Sequence, residues 1–302
     1  MKKMAWCREI KVAKSRIKSV RFCENIMSKL SKKHHFIPVF YQKGFLSSTS
    51  ELFAYKKKFG SIKNWSPSQI MYEKNLHTIS IGDEKTVMLE EFYSQMEGML
   101  NEYVSLISDN INNKNLLAEL TNDGDFQRLA KLMVAIQFWR TPCRRQQAID
   151  YAPKLVSLYD SADEEIKEML GNDRKFIRFL SKRAKKDDSL KVIQFLLLPL
   201  LTFDISTKVI KLNLFKASKD VKFISSDRPV VFDTIEDLFN LKSFLFPFSK
   251  ELLLVGTEKD VKAINIDKVN LLIANKASEV VISGSKEQLE HLKDRLNQPT
   301  AV

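Results

Sequence analysis

Between Thr86 and Ile111 apolar residues recur every three or four positions, at Leu89, Phe92, Tyr93, Met96, Leu100, Tyr103, Val104 and Ile107. That period predicts one long helix with a single buried stripe. Glu90 and Glu97, seven apart, fall on nearly the same face of it. Asn112–Asn115 interrupts the pattern, and Asp123-Gly124-Asp125 supplies the start signal for a second helix with Leu129, Leu132, Met133 and Ile136 inward. Pro142 has no N–H for the Phe138 carbonyl, so this helix is expected to kink or restart there. Were it to continue, Gln137, Arg140 and Arg144 would share one side. Ser161-Ala162-Asp163-Glu164 reads as a capping box opening a helix toward Leu170. A charged helix over 172–191 and a buried one over 192–201, bent at Pro199, complete the middle of the chain.

The two ends read differently. Residues 51–56 alternate as a strand, and 62–65 is a second extended piece that pairs with it as a hairpin around Gly60. Ser66-Pro67-Ser68 opens a short helical turn, Asn75–Ile79 reads as extended, and Gly82-Asp83 as a turn. Late in the chain, 208–215, 221–224, 230–232, 245–248, 251–255 and 279–283 are β-rich, with helices near 261–277 and after Ser285. Helices in the middle and strands at both ends predict an α+β protein. Its helical bundle would pack on a sheet shared by the N-terminal hairpin and the C-terminal strands. One domain over 31–302 is expected, behind a basic head of residues 1–30.

Charge sharpens that division. Residues 1–33 hold eleven Lys or Arg against two acids, a net of +9 out of the +12 carried by all 302 residues. The body is nearly balanced, so overall basicity is a weak argument for nucleic acid. The head is either an upstream extension, since Met27 precedes a natural-looking start, or a basic arm for RNA or an acidic surface. It lacks the apolar run of a secretory signal. The run Val192–Phe203 is too short to cross a bilayer. Three scattered cysteines exclude a disulfide framework and fit a reducing cytoplasm.

The chemistry concentrates at Lys33-His34-His35-Phe36-Ile37-Pro38-Val39-Phe40-Tyr41, which holds two of the four histidines. Imidazole titrates near neutral pH and so serves as proton carrier or ligand. Neighbours on a strand face opposite sides, so His34 and His35 are not expected to ligate one metal together. Either one caps a helix or bonds a buried backbone carbonyl, or one, His35 for preference, transfers protons or acts as a ligand. Arg140 and Arg144 read as a two-pronged clamp for phosphate or carboxylate, or as buried partners of Glu90, Glu97 or Asp227. Asp227 lies between β-rich segments, placed for catalysis or for an Asx-turn. There is no Walker loop, no G-x-G-x-x-G, no H-E-x-x-H and no G-x-S-x-G elbow.

Three pieces of the chain, in order, resemble a known family. They are His34-His35-Phe36-Ile37-Pro38-x-Phe40-Tyr41-x-x-x-Phe45, Gln137-x-x-Arg140-Thr141-Pro142-Cys143-Arg144, and Phe223-Ile224-Ser225-Ser226-Asp227-x-Pro229-Val230. Together they resemble the opening, middle and late motifs of the domain of unknown function 4238 proteins, over about residues 30–285. Glu90 and Glu97 look like that family's acid pair. Gln42-Lys43-Gly44 departs from the Leu-Arg-polar sequence common there. The resemblance implies no activity to carry over.

The residues therefore predict a phosphodiesterase acting on RNA or DNA, in a toxin or phage-defence setting. His34, His35, Glu97 and Asp227 would manage protons. Tyr41, Gln137, Arg140, Arg144 and Ser226 would hold the phosphate, with or without a divalent metal. The competing expectations are a non-catalytic module binding a nucleotide or other anion, and a conformational lock. No membrane partner is expected.

Overall fold

The computed structural model describes residues 32–298 apart from 82–83, 87 and 207–208. The basic head and the Gly82-Asp83 turn lie outside the described residues. The chain opens with β1 (Lys33–His35), helix α1 (Val39–Lys43), β2 (Phe53–Lys56), β3 (Ser61–Asn64), β4 (Tyr72–Lys74), β5 (Ile79–Ile81) and β6 (Glu84–Thr86). The helices of the middle follow: α2 (Met88–Asp109), α3 (Lys114–Thr121), α4 (Gly124–Trp139), α5 (Arg145–Tyr151), α6 (Leu155–Ser161), α7 (Glu164–Met169), α8 (Arg174–Lys182), α9 (Asp187–Val192) and α10 (Leu198–Leu201). The last third supplies β7 (Leu212–Lys216), β8 (Ser225–Ser226), β9 (Val231–Phe232), α11 (Ile235–Phe239), β10 (Ser243–Ser249), β11 (Leu252–Thr257), α12 (Ile266–Lys276), β12 (Val280–Ser283) and α13 (Lys286–Asn297).

The molecule is α+β, and the N-terminal hairpin does join the C-terminal strands. One antiparallel sheet runs β3-β2-β12-β8, a second β7-β11-β10-β9, and β1-β4 and β5-β6 are two-stranded. Side chains alternate across a sheet, so β2, β11 and β12 each serve two cores. Leu252 and Leu254 of β11, Ala54 of β2 and Ile282 of β12 enter the large core shared with the helices. Leu253, Val255, Tyr55 and Val281 face a smaller one closed by α12 and α13, through Val269, Ile273, Leu289 and Leu292. Among the described residues no helix is long and apolar enough to cross a membrane.

Two prolines shape the helical layer, and in each case a hydroxyl takes over the missing donor. Helix α4 stops at Trp139, and the Thr141 hydroxyl donates to the Phe138 carbonyl at 2.9 Å. The Gln194 amide donates to the carbonyls of Trp139 and Thr141 at 3.0 and 3.1 Å, closing that helix end. Before Pro199 the backbone widens into one π-helical turn, Ile193–Leu197, rather than simply bending at the proline. The Phe195 carbonyl, four residues ahead of Pro199, accepts from the Tyr93 hydroxyl at 2.6 Å.

Local signals misled in four places. Asn75 adopts φ 58°, tolerated by asparagine, so residues 75–78 form a turn and not a strand. Ser161 ends α6 and bonds back to the Ser157 and Leu158 carbonyls, so its capping box never forms. The charged stretch 172–191 splits into α8 and α9. Residues 221–224 are irregular, their backbone satisfied by side chains such as Asn270, whose Oδ1 accepts from the Ile224 amide.

Candidate functional site

Helix α2 organises a polar corner. Its stripe of Leu89, Phe92, Tyr93, Met96 and Leu100 is buried, while Glu90 and Glu97 lie at the stripe's margin, 29% and 28% exposed. Each carboxylate meets a different basic group. Glu90 contacts two imidazoles, bonding Nδ1 of His77 directly and lying 3.5 Å from Nδ1 of His34. Glu97 pairs with the Arg140 guanidinium at 2.5 Å. Tyr93 lies between these pairs in the helix, its ring 4.9 Å from the His77 ring and 4.0 Å from the guanidinium carbon of Arg140.

Alternation in β1 turns His34 inward and leaves His35 half-buried on the other side. Pairing of β1 with β4 then brings the following turn alongside. The His77 amide donates to His34 Nδ1 at 2.8 Å, which assigns the His34 ring proton to Nε2. Lys191 of α9 pins the turn from outside by donating to the Thr78 carbonyl at 2.9 Å. His77 is fully buried among the His34, Tyr93 and Phe195 rings.

Burial pushes His77 down to about 3, against the opposing pull of its bond to Glu90, so it is neutral at pH 7. Its Nδ1–H then donates to the carboxylate, and Nε2 is left as an acceptor without a protein partner. Burial alone would raise Glu90, but the hydrogen bond from His77 and the nearby Arg140 guanidinium hold it below its usual range. His35 is lowered by burial and by Arg140, while the Ser68 backbone, Glu97 and Glu90 oppose; its Nε2 also lacks a partner. Arg140 is 3% exposed at its side chain and keeps Nε unbonded. One turn before it, buried Gln137 has an unpartnered Oε1.

The fold thus assembles His34, His35, Glu97 and Arg140 with His77 and Glu90, keeps Gln137 one turn before Arg140, and gives Tyr41, Arg144, Ser226 and Asp227 other contacts. The arginine clamp does not form. Because α4 ends at Trp139, the Arg144 guanidinium lies 4.1 Å from the Phe138 ring centre and 5.3 Å from that of Phe232, bonded to Gln147. Asp227 is a loop anchor: its carboxylate accepts the amides of Ser278 and Glu279 at 2.8 and 2.7 Å. Burial raises its carboxyl above the usual range despite those bonds. Ser226 accepts the Arg228 amide at 3.1 Å. Tyr41 is a buried tie, its hydroxyl 2.8 Å from the Ser225 hydroxyl and donating to the Pro247 carbonyl at 2.7 Å.

His77 is not among the residues the sequence singles out, and Glu90 enters there as half of an acid pair and as a candidate partner of the arginines. The available signal was compositional: His77 is one of four histidines and sits in a short polar break, Asn75 to Thr78, between β-rich pieces. Comparison with known proteins adds one finding. The family model described as protein of unknown function (DUF4238) matches residues 33–287. No curated protein matches the chain. No solved structure matches it either.

Proposed function

Since the chain belongs to the DUF4238 family of proteins of unknown function, whose description carries no activity, we propose from its own residues that it is a hydrolase of phosphodiesters in RNA or DNA. The observation that carries this reading is the His77–Glu90 contact near His35 and Arg140, in a corner whose two carboxylates are partly exposed. Burial and Arg140 hold half-buried His35 below its usual range, so its imidazole is neutral at pH 7 and can serve as a base. In this reading a neutral imidazole accepts the proton of the attacking water or 2′-hydroxyl as the new P–O bond forms. The leaving oxygen takes a proton as the old bond breaks. Arg140, sequestered by Glu97, contributes through its field rather than as a contact clamp. A toxin or phage-defence role is the setting that suits such an activity.

A second reading, a non-catalytic module for a nucleotide or other anion, is favoured by Arg144 and Arg228. Their guanidinium groups donate to Gln147 and Ser278, and each keeps an unbonded Nε. The two readings separate in one experiment on the full chain, with total RNA, plasmid DNA and free nucleotides. The hydrolase reading expects fragments from wild type and at least a hundredfold loss in His35→Ala, about what a proton-transfer residue contributes. A rise in Tm with nucleotide recovered intact, and uncut nucleic acid, would instead support the module.

A further inference from the structure

We propose that His34, His77 and Glu90 bind one divalent transition-metal ion of the Zn2+ or Mn2+ class. Their ligating atoms all lie within 4.8 Å of one another, and they come from three separate elements: β1, the turn after β4, and α2. Ligands at about 2.1 Å from a tetrahedral ion stand about 3.4 Å apart. The His34 Nδ1 to Glu90 Oε1 separation of 3.5 Å already has that spacing, and the closer His77–Glu90 contact opens by about 1 Å to admit an ion.

The donor set is two imidazole nitrogens and one carboxylate oxygen. That combination favours borderline transition metals over Mg2+ or Ca2+, which take oxygen ligands. Both histidines are fully buried and Glu90 is 29% exposed, so solvent or substrate reaches the ion from the Glu90 side only. Three protein ligands with one side open is the arrangement of a reactive site, not of a closed structural one. Two rearrangements accompany binding. The His77 ring proton moves from Nδ1 to the unpartnered Nε2, and His34 Nδ1 releases the His77 amide that it accepts at 2.8 Å. Outside this trio, His35 feels the charges of Glu90, Glu97 and Arg140, and Arg140 is held by Glu97.

The inference deepens the hydrolase reading and rests on it for the use of the ion, though not for its binding. The test is calorimetric titration of the chelator-stripped full chain with ZnCl2, MnCl2 and MgCl2, with Tm and metal content measured in parallel. Expected are one equivalent of Zn2+ or Mn2+ per chain, a Tm rise that saturates at that equivalent, and no response to Mg2+. Glu90→Gln keeps an acceptor for His77 and so keeps the fold, yet should weaken binding at least a hundredfold; His34→Ala should do the same. No uptake by wild type, or equal uptake by wild type and Glu90→Gln, overturns the site and leaves His77 and Glu90 as a hydrogen-bonded pair. If metal binds at this trio while RNA and DNA remain intact, the phosphodiesterase reading falls and the metal site stands. If cleavage persists in chelator, the ion's use in the reaction falls while the hydrolase reading stands, and the site itself is decided by the titration.

Discussion

The Tyr93 hydroxyl donates to the Phe195 carbonyl, the acceptor that Pro199 leaves without a helical N–H. This bond fastens the middle of α2 to the π turn and thereby fixes the ring that separates His77 from Arg140. Tyr93→Phe orphans a buried carbonyl and should cost about 1–3 kcal/mol. Pro199→Ala restores an N–H nearby, so Tyr93→Phe should cost less in that background. Urea unfolding of the four variants checks this; equal costs in both backgrounds would show that the proline and the hydroxyl are unrelated.

Arg140 and Glu97 are unequally buried, and their variants should differ accordingly. Glu97→Ala strands a guanidinium that is 3% exposed, with an expected cost near the usual ~3–5 kcal/mol for breaking a buried pair. Arg140→Ala leaves a carboxylate that is 28% exposed and can hydrate, so about 1–3 kcal/mol is expected, partly from lost packing on Tyr93. The double variant should be more stable than the sum of the two losses by at least ~1 kcal/mol. Strict additivity in a double-mutant cycle would deny the coupling.

How much of this was legible before the fold was known depended on range. The α2 stripe, with Glu90 and Glu97 on one face, follows from a local period, and the structure reproduces it over Met88–Asp109. The sharing of one sheet by the hairpin and β12 followed from strand-rich ends alone. His77 was not legible, because its neighbours in space come from β1, α2 and the π turn, far apart in sequence. Arg144 shares a side with Gln137 and Arg140 only if the helix runs through Pro142, and the chain restarts there in a 3-10 turn instead. Asp227 was read as a site residue from its loop position, and only the Ser278 and Glu279 amides reveal what it holds.

Asp227 also predicts a pH dependence of stability. Its carboxyl is raised by burial, so the folded chain binds this proton more tightly than the unfolded one. The associated stability is fully present below the unfolded value near 3.8 and is lost as pH rises through the folded value. Wild type should therefore lose stability relative to Asp227→Asn as pH increases above about 3.8, by at most ~1.4 kcal/mol per pH unit. Unfolding free energies of the two proteins between pH 3 and 7 test it. A gap that stays constant or grows in favour of wild type would reverse the sign of the burial effect.

The central claim is that function resides where the imidazoles, Glu90 and Arg140 meet, and not at the Asp227 loop. The most direct measurement is cleavage of labelled RNA and plasmid DNA by wild type, His35→Ala, Glu90→Gln and Asp227→Asn, each first matched for cooperative unfolding. The account predicts losses of at least a hundredfold for His35→Ala and Glu90→Gln, and activity within about threefold of wild type for folded Asp227→Asn. Activity abolished by Asp227→Asn and untouched by Glu90→Gln would contradict it.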